Sequence, residues 1–362
     1  MVHSRHKQSH KGRGAVSNPA GRFETDAREL FDDGWDSIEE LPDAPATELH
    51  AESARTIISR NQSPDISFSA SINPYRGCEH GCVYCFARPS HSYLNLSPGL
   101  DFESKIFYKE NAAELLEQEF RKPGYLPTPI SLGINTDAYQ PTERNLEITR
   151  SLLQVMLRYR HPVSLLTKST LIQRDLDLLA EMAQLNLVTA SVSLTSLDAN
   201  IKRSLEPRTA SPQGRLRTIR ALADAGVPTG VMIAPVIPAI TDHDMEAMLA
   251  ASAKAGARHA GYVLLRLPWE LKEVFRDWLA AYYPQRAEHV MSLIRQSRGG
   301  KDYDATWGTR QTGTGQFADI LGQRFRLACR RYGLNGAARP SLDCTQFQRP
   351  VLAGDQMSLS GF

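Results

Sequence analysis

Cysteine is scarce in this chain and unevenly placed. The 362 residues contain five, with none between Cys85 and Cys329. An odd number with three clustered argues against a framework of paired disulfides and for a reducing compartment, the cytoplasm. Long apolar runs are missing too: none approaches membrane-spanning length, and the N-terminus has no apolar signal segment, so no membrane partner is expected. Charge of one sign is also lacking. With 42 Lys and Arg against 40 Asp and Glu, the net charge is +2, which limits how far overall charge can argue for a nucleic-acid partner. What remains is a 41% hydrophobic chain, long enough to bury one large core, or one core with an appended region.

The ends differ from the middle. Residues 1–23 are basic and polar, and from Glu24 to Glu52 eleven acidic residues face only Arg28. Such a composition reads as a disordered tail over 1–60, basic and then acidic. From residue 66 onward, strand-like and helix-like patterns alternate. Short apolar runs at 66–73, 129–135, 163–168, 188–195, 228–236 and 261–267 are separated by amphipathic stretches at about 110–121, 143–159, 171–185, 212–225 and 242–256. The last of these is opened by Thr241 and Asp242 as expected caps. Strands apolar throughout suit a parallel sheet covered by helices. The expectation is an α/β fold, a partial (β/α)6 TIM-like barrel over 61–268, because a complete eight-stranded barrel needs about 250 residues.

The densest chemical signal is Asn73-Pro-Tyr-Arg-Gly-Cys78-Glu-His-Gly-Cys82-Val-Tyr-Cys85-Phe. Cys-x3-Cys-x2-Cys lets one loop wrap a 4Fe-4S cluster with three thiolates and leaves one iron without a protein ligand. Two other readings compete: a Cys3His zinc site recruiting His80 or His91, and a ferredoxin-like carrier with a fourth thiolate from Cys329 or Cys344.

The cysteine motif, with aromatic Tyr84 before its last cysteine, resembles that of the radical S-adenosylmethionine (SAM) enzymes. Over 66–267 the chain is similar to the spore photoproduct lyase branch. That likeness is carried by Asn73-Pro-Tyr-Arg-Gly-Cys78, Thr136-Asp-Ala-Tyr-Gln-Pro-Thr-Glu143, Thr167-Lys-Ser169 and Ser204-Leu-Glu-Pro207. The resemblance implies a 4Fe-4S cluster on Cys78, Cys82 and Cys85, with SAM on its open iron. Reduction by a carrier such as flavodoxin or ferredoxin would cleave SAM to a 5'-deoxyadenosyl radical that abstracts hydrogen from a substrate. It also implies SAM contacts from Asn135, Thr136 and Asp137 at the end of the second strand. Lys168 would face the carboxylate, Ser193 the ribose and Tyr84 the adenine, with Gly230-Val-Met-Ile-Ala234 as a looser adenine motif. Glu206 either orients a cofactor group or fixes the loop before Pro207.

The lyase takes its returning hydrogen from a cysteine inside the core, and this chain has none there. Cys344 is the expected donor in its place, while Cys329 reads as a small buried hydrophobe. A helical, basic extension over 269–348 is expected to hold helices at 269–283, 284–297 and 317–332. From Arg286 to Arg331 it carries nine Lys and Arg against four acids. Arg310, Arg324, Arg326, Arg330 and Arg331 are candidates for phosphates, and Trp307, Phe317 and Phe325 for bases. With the barrel's open side, these favour a nucleic-acid substrate and a role in DNA repair or nucleotide modification, the alternatives being modification of a peptide or metabolite, or a noncatalytic iron-sulfur or zinc binding module. The flexible tail, 349–362, ends in Gln356-Met-Ser-Leu-Ser-Gly-Phe362, which is similar to peptides that dock on the bacterial sliding clamp.

Overall fold

A computed structural model describes residues 10–24, 45–338 and 340–350. Among these residues ten strands are formed: β1 (Glu48–Ala51), β2 (Ile58–Arg60), β3 (Ala70–Ile72), β4 (Tyr75–Arg76), β5 (Lys105–Tyr108), β6 (Ile130–Leu132), β7 (Val163–Thr167), β8 (Val188–Ser193), β9 (Thr229–Val236) and β10 (His259–Leu264). Seven make one sheet in the order β10-β9-β8-β7-β6-β3-β2, parallel except for β2. The six parallel strands follow chain order, as successive right-handed β-α-β units require. This is the partial barrel expected from the sequence, and each strand lies within a few residues of its predicted run.

The helices follow the amphipathic stretches. Ala112–Arg121, Ile148–Arg158, Leu176–Gln184, Pro212–Asp224 and Met245–Ala255 cover the sheet. The stretch 143–159 is broken at Glu147, whose φ of 50° interrupts the helix after a short turn at Glu143–Leu146. Thr241 does not cap: its hydroxyl accepts from the Ile237 amide. Leu116, Leu152, Leu165, Val192, Ile233 and Leu249 are among the side chains that join sheet and helices in one core. Each stabilises the fold by about 1.5–3 kcal/mol on burial.

A second core lies under the cysteine loop. Cys82, Val83 and Tyr84 pack with Leu265, Leu267, Trp278 and Val290, so helices Leu271–Tyr282 and Ala287–Gln296 brace the loop. Helix Gln316–Arg331 packs on β10 and the helix Met245–Ala255. Phe317 and Phe325 join the main core from it, so they are packing residues and not base contacts.

The region expected to be unstructured, 1–60, contributes two packed stretches. Residues 10–24 carry buried Arg13, Ala15 and Val16, and 45–60 supply β1 and β2. A three-stranded sheet, β1-β5-β4, stands beside the cysteine loop. Composition did not reveal this because the burial is against residues distant in sequence. Residues 1–9, 25–44, 339 and 351–362 lie outside the description, and with them the Gln356 to Phe362 peptide.

The barrel's open side is crossed. The Leu264 amide on the free edge of β10 donates to Gln311 O at 2.8 Å. Arg310 then reaches Asp65 between β2 and β3, with Nε and Nη2 at 2.7 and 2.6 Å from its carboxylate. One segment therefore ties both edges of the sheet. Arg310 is consequently occupied, as is Arg324 on Glu246 at 2.7 Å, which removes both from the phosphate candidates. The Arg310 hydrogen bond holds the Asp65 carboxyl below its ordinary value of 3.8. Its contribution is present above that value and lost as pH falls through the lowered one. Arg310→Ala is expected to speed amide exchange across 302–315 and around Asp65 while the central strands stay protected. Unchanged exchange there would show that the ion pair latches nothing.

Candidate active site

The site is built at the C-terminal ends of the strands, where a parallel barrel collects its chemistry. The loop after β4 carries Cys78, Cys82 and Cys85, none in a disulfide. Burial comes first among the causes that raise all three thiols, Cys82 to about 12, and Cys78 and Cys82 also feel Cys85. Gly77 and Gly81 turn the loop at φ 79° and 66°, where any side chain would be strained. Three thiols from one loop, Cys78 and Cys82 buried and Cys85 half-buried, are a set that could hold a cluster, whose binding would displace their protons.

Buried polar groups hold that loop in shape. Arg88, fully buried, donates through Nε to Cys82 O at 2.9 Å and through Nη1 to Gly99 O at 2.8 Å, and pairs with buried Glu103. Glu103 also accepts from the amides of Gly14 and Ala15 at 2.9 and 2.8 Å, which straps residues 13–15 over the loop. On the other side, the string Thr136 to Glu143 acts as a row of posts. Thr136 donates to Tyr75 O at 3.0 Å, Gln140 accepts from the Glu79 amide at 2.9 Å, and Glu143 takes the Tyr75 hydroxyl. Asp137 accepts from Thr167 Oγ1 at 2.7 Å, from the Lys168 amide at 2.8 Å and from the Tyr139 amide at 2.9 Å. His80 Nδ1 stands 3.3 Å from it, within ion-pair range but without hydrogen-bond geometry. Burial by itself would raise the Asp137 carboxyl, but His80 and Lys168 outweigh it and hold the group well below the usual range.

The structure brings Tyr84, Lys168 and Ser193 to the same rim. Lys168 has no carboxylate in direct contact among the described residues; Asp175 and Asp177 are taken by Arg150. Burial works against its charge, and Cys82, Glu206 and Asp137 more than restore it, so its pKa is raised. Ser193 donates to Ala234 O at 3.1 Å, which leaves its oxygen as an acceptor. Glu206 is the hub beneath: it accepts from the Tyr84 hydroxyl, from Thr195 at 2.8 Å and from Arg215. Arg215, about 1% exposed like Glu206, also holds Ala210 O and Ser193 O at 3.0 Å. Asn135 is exposed, its amide donated to Asn73 Oδ1 at 3.0 Å.

Several sequence expectations do not meet here. Cys344 lies in a segment whose neighbours bind Leu185 O, Asn186 O and Tyr159 O. Those residues precede the strands, so the thiol sits at the opposite end of the sheet and is not a hydrogen donor to this rim. Cys329 contacts Asn335, which pairs with Ala260 near the start of β10, so it too is at the far end. Neither reaches the loop as a fourth thiolate. His91 is committed to Lys105 O at 3.0 Å, and no group of three or more His, Cys, Asp and Glu among the described residues is arranged to hold a single metal ion. Arg88, Glu103 and Arg215 escaped the sequence reading. Gln140 and Glu143 stood in a quoted string but were read without a role.

The sequence profile described as the radical SAM superfamily matches residues 72–251, from the strand before the cysteines through the helix after β9. The chain belongs to the radical SAM superfamily. An uncharacterised protein of Mycobacterium tuberculosis is 38% identical over 233 residues, 64% of this chain and 68% of that one. Another, of Methanocaldococcus jannaschii, is 29% identical over 171 residues, covering 47% and 61%. Spore photoproduct lyase, in a structure described as complexed with dinucleoside spore photoproduct, shares the fold with a TM-score of 0.58 at 17% identity, over 79% of this chain and 80% of that one. As a radical SAM enzyme the protein uses a 4Fe-4S cluster and SAM. The converging thiols fit the cluster, and an ammonium without its own carboxylate beside them fits the SAM carboxylate. Radical SAM enzymes also need a reductant. No helix among the described residues is long and apolar enough to cross a membrane.

Proposed function

We propose that this radical SAM enzyme modifies or repairs a nucleic acid, with Cys78, Cys82 and Cys85 as cluster ligands. When bound, the reduced cluster and SAM supply a 5'-deoxyadenosyl radical for hydrogen abstraction, with electrons from a carrier such as flavodoxin or ferredoxin. Lys168 binds the SAM carboxylate, the backbone at Asn135 and Thr136 receives its amino group, and Asp137 holds that turn against β7. Tyr84 is oriented by Glu206 so that its ring meets adenine, and Ser193 accepts from a ribose hydroxyl. The observation that carries the reading is the loop of three free thiols, two of them buried, beside an ammonium with no carboxylate in contact among the described residues, at the strand ends.

The nucleic-acid half rests on the fold shared with a lyase solved with a dinucleoside and on the cationic rim described below. Repair of that lyase's own lesion is not part of the proposal, because no thiol beyond the cluster ligands stands at the rim among the described residues.

The test is anaerobic reconstitution with iron and sulfide, reduction, and assay of 5'-deoxyadenosine from SAM beside Cys82→Ala. The wild type is expected to assemble a cluster whose spectrum SAM perturbs and to form 5'-deoxyadenosine. The variant should lose both, and with a deuterated nucleic acid the label should appear in the 5'-deoxyadenosine. An intact reduced cluster that neither binds nor cleaves SAM would overturn the enzyme reading. Cleavage with no deuterium transferred from any DNA or RNA would overturn the substrate.

A further inference from the structure

Four arginines of the C-terminal region are neutralised in place: Arg276 on Asp302, Arg295 on Glu288, Arg310 on Asp65 and Arg324 on Glu246. Arg266 is different. It follows β10 at the C-terminal end of the sheet, and no carboxylate contacts it among the described residues. Its Nη2 is 3.3 Å from the Tyr303 hydroxyl and its Nη1 3.5 Å from Gln311 Oε1, both long for a guanidinium, while Nε is buried with no partner. Behind it lies a second cation, Arg298. This group is buried and, among the described residues, donates to the carbonyl oxygens of Leu264, Leu265, Thr309 and Arg310. Burial, and then the neighbouring Arg266, pull its pKa down to about 10. Two adjacent guanidinium groups with no carboxylate in contact form a positive site that an anion would relieve.

The surroundings define the anion's other half. The Arg266 guanidinium lies 5.6 Å from the centroid of Phe86 and 6.0 Å from that of Tyr303. Phe86 directly follows the cluster ligand Cys85 and is 41% exposed. Large apolar rings next to an unsatisfied guanidinium suit a ligand that carries both a phosphate and a flat base. A base paired within a duplex keeps its faces stacked on its neighbours and cannot lie on Phe86, so the strand must be single or the base extruded.

We propose that Arg266, backed by Arg298 and flanked by Phe86 and Tyr303, is a nucleotide subsite. It receives one phosphodiester of an unpaired strand and stacks the adjoining base beside the cluster. This rests on the nucleic-acid reading above and adds which form of nucleic acid is taken and where it is gripped.

The experiment measures binding by the reconstituted holoprotein, through fluorescence anisotropy across a salt series. The probes are a labelled single-stranded DNA, the same sequence as RNA, and its duplex. Single strands are expected to bind tighter than duplex, and the DNA and RNA arms identify the sugar. Arg266→Gln should weaken single-strand binding roughly ten-fold and flatten the salt slope by about 0.7, one phosphate's worth. Phe86→Leu should weaken binding with the slope intact. Iron content reports folding, and if the glutamine variant fails to assemble, Arg266→Lys carries the test: it keeps the charge and the slope but loses the fork. Wild-type binding that neither Arg266 variant alters would overturn the subsite and leave nucleic acid as the substrate. A holoprotein that binds none of the three probes would overturn both.

Discussion

Replacing Glu206 by alanine is expected to cost about 3–5 kcal/mol of stability, because it leaves a buried charge without its partner. Arg215 lies in the interior beneath the rim with its guanidinium against the Glu206 carboxylate. It also holds Ser193 O, Ala210 O and Thr209 Oγ1, so it cannot swing out to water without breaking the end of β8. Domains are folded by only about 5–15 kcal/mol, so the loss should appear as a large fall in the urea midpoint. The double change of Glu206→Leu with Arg215→Met should recover much of it, since a buried pair replaced by apolar groups is often close to neutral. A double variant no more stable than Glu206→Ala would show that the deficit comes from packing and not from the stranded charge.

The sign with pH follows from the same contacts. Burial would raise the Glu206 carboxyl, but Arg215 and Lys168 outweigh it and hold its pKa below the ordinary 4.5. The contribution is therefore complete above that value and lost as pH falls through the lowered one. The gap between wild type and Glu206→Ala should narrow in acid. Tyr84 also loses its carboxylate acceptor in the variant, while Thr195 retains Ala234 O. A SAM-binding defect larger than the stability loss explains, partly restored in Glu206→Gln, would mark Glu206 as a positioning residue for Tyr84.

Glu103→Ala is the second large effect, of similar size, again about 3–5 kcal/mol for a stranded buried charge. The consequence falls on the cysteine loop. Arg88 spans Gly81 O, Cys82 O and the carbonyls of Pro98 and Gly99, and Glu103 fixes it there. Without that carboxylate the loop loses its post and residues 13–15 lose the acceptor for two amides. Iron retained after reconstitution should fall, and protease should cut within 10–24. Gly14→Ala separates the two roles. A Cβ at Gly14 would sit 1.8 Å from Gly81 O, so the segment must lift away while Arg88 and Glu103 stay paired. It should therefore become protease-sensitive with a smaller loss of iron. Equal iron loss in both variants would mean that the strap, and not the ion pair, supports the loop.

Much of the fold was legible because its signals are local. Six apolar runs separated by amphipathic stretches dictate successive β-α units, and the handedness of such units leaves few ways to order the strands. The cysteine spacing is local as well: three thiols within one turn of loop are brought together by the loop itself. The string Thr136 to Glu143 was legible as a feature of the site but not in its role. A motif locates polar residues without saying whether they face a ligand or the backbone of another loop. Here Thr136, Gln140 and Glu143 all face the loop that carries the cysteines.

By itself the sequence located the thiol trio Cys78, Cys82 and Cys85, the six-unit parallel sheet, and the rim on which Tyr84, Lys168 and Ser193 would appear. Only the tertiary structure decided which charges were free. Arg310 and Asp65 are 245 positions apart and Glu103 lies 88 positions from Ala15, so no periodicity or spacing could pair them. The same holds for Cys344, whose half-exposed character was readable but whose place at the far end of the sheet depends on where the chain returns after helix Gln316–Arg331. Hydrophobic patterning acts over a few residues and builds elements, whereas a buried ion pair is selected by the geometry those elements reach when packed. That selection leaves Arg266 without a carboxylate at the mouth of the barrel.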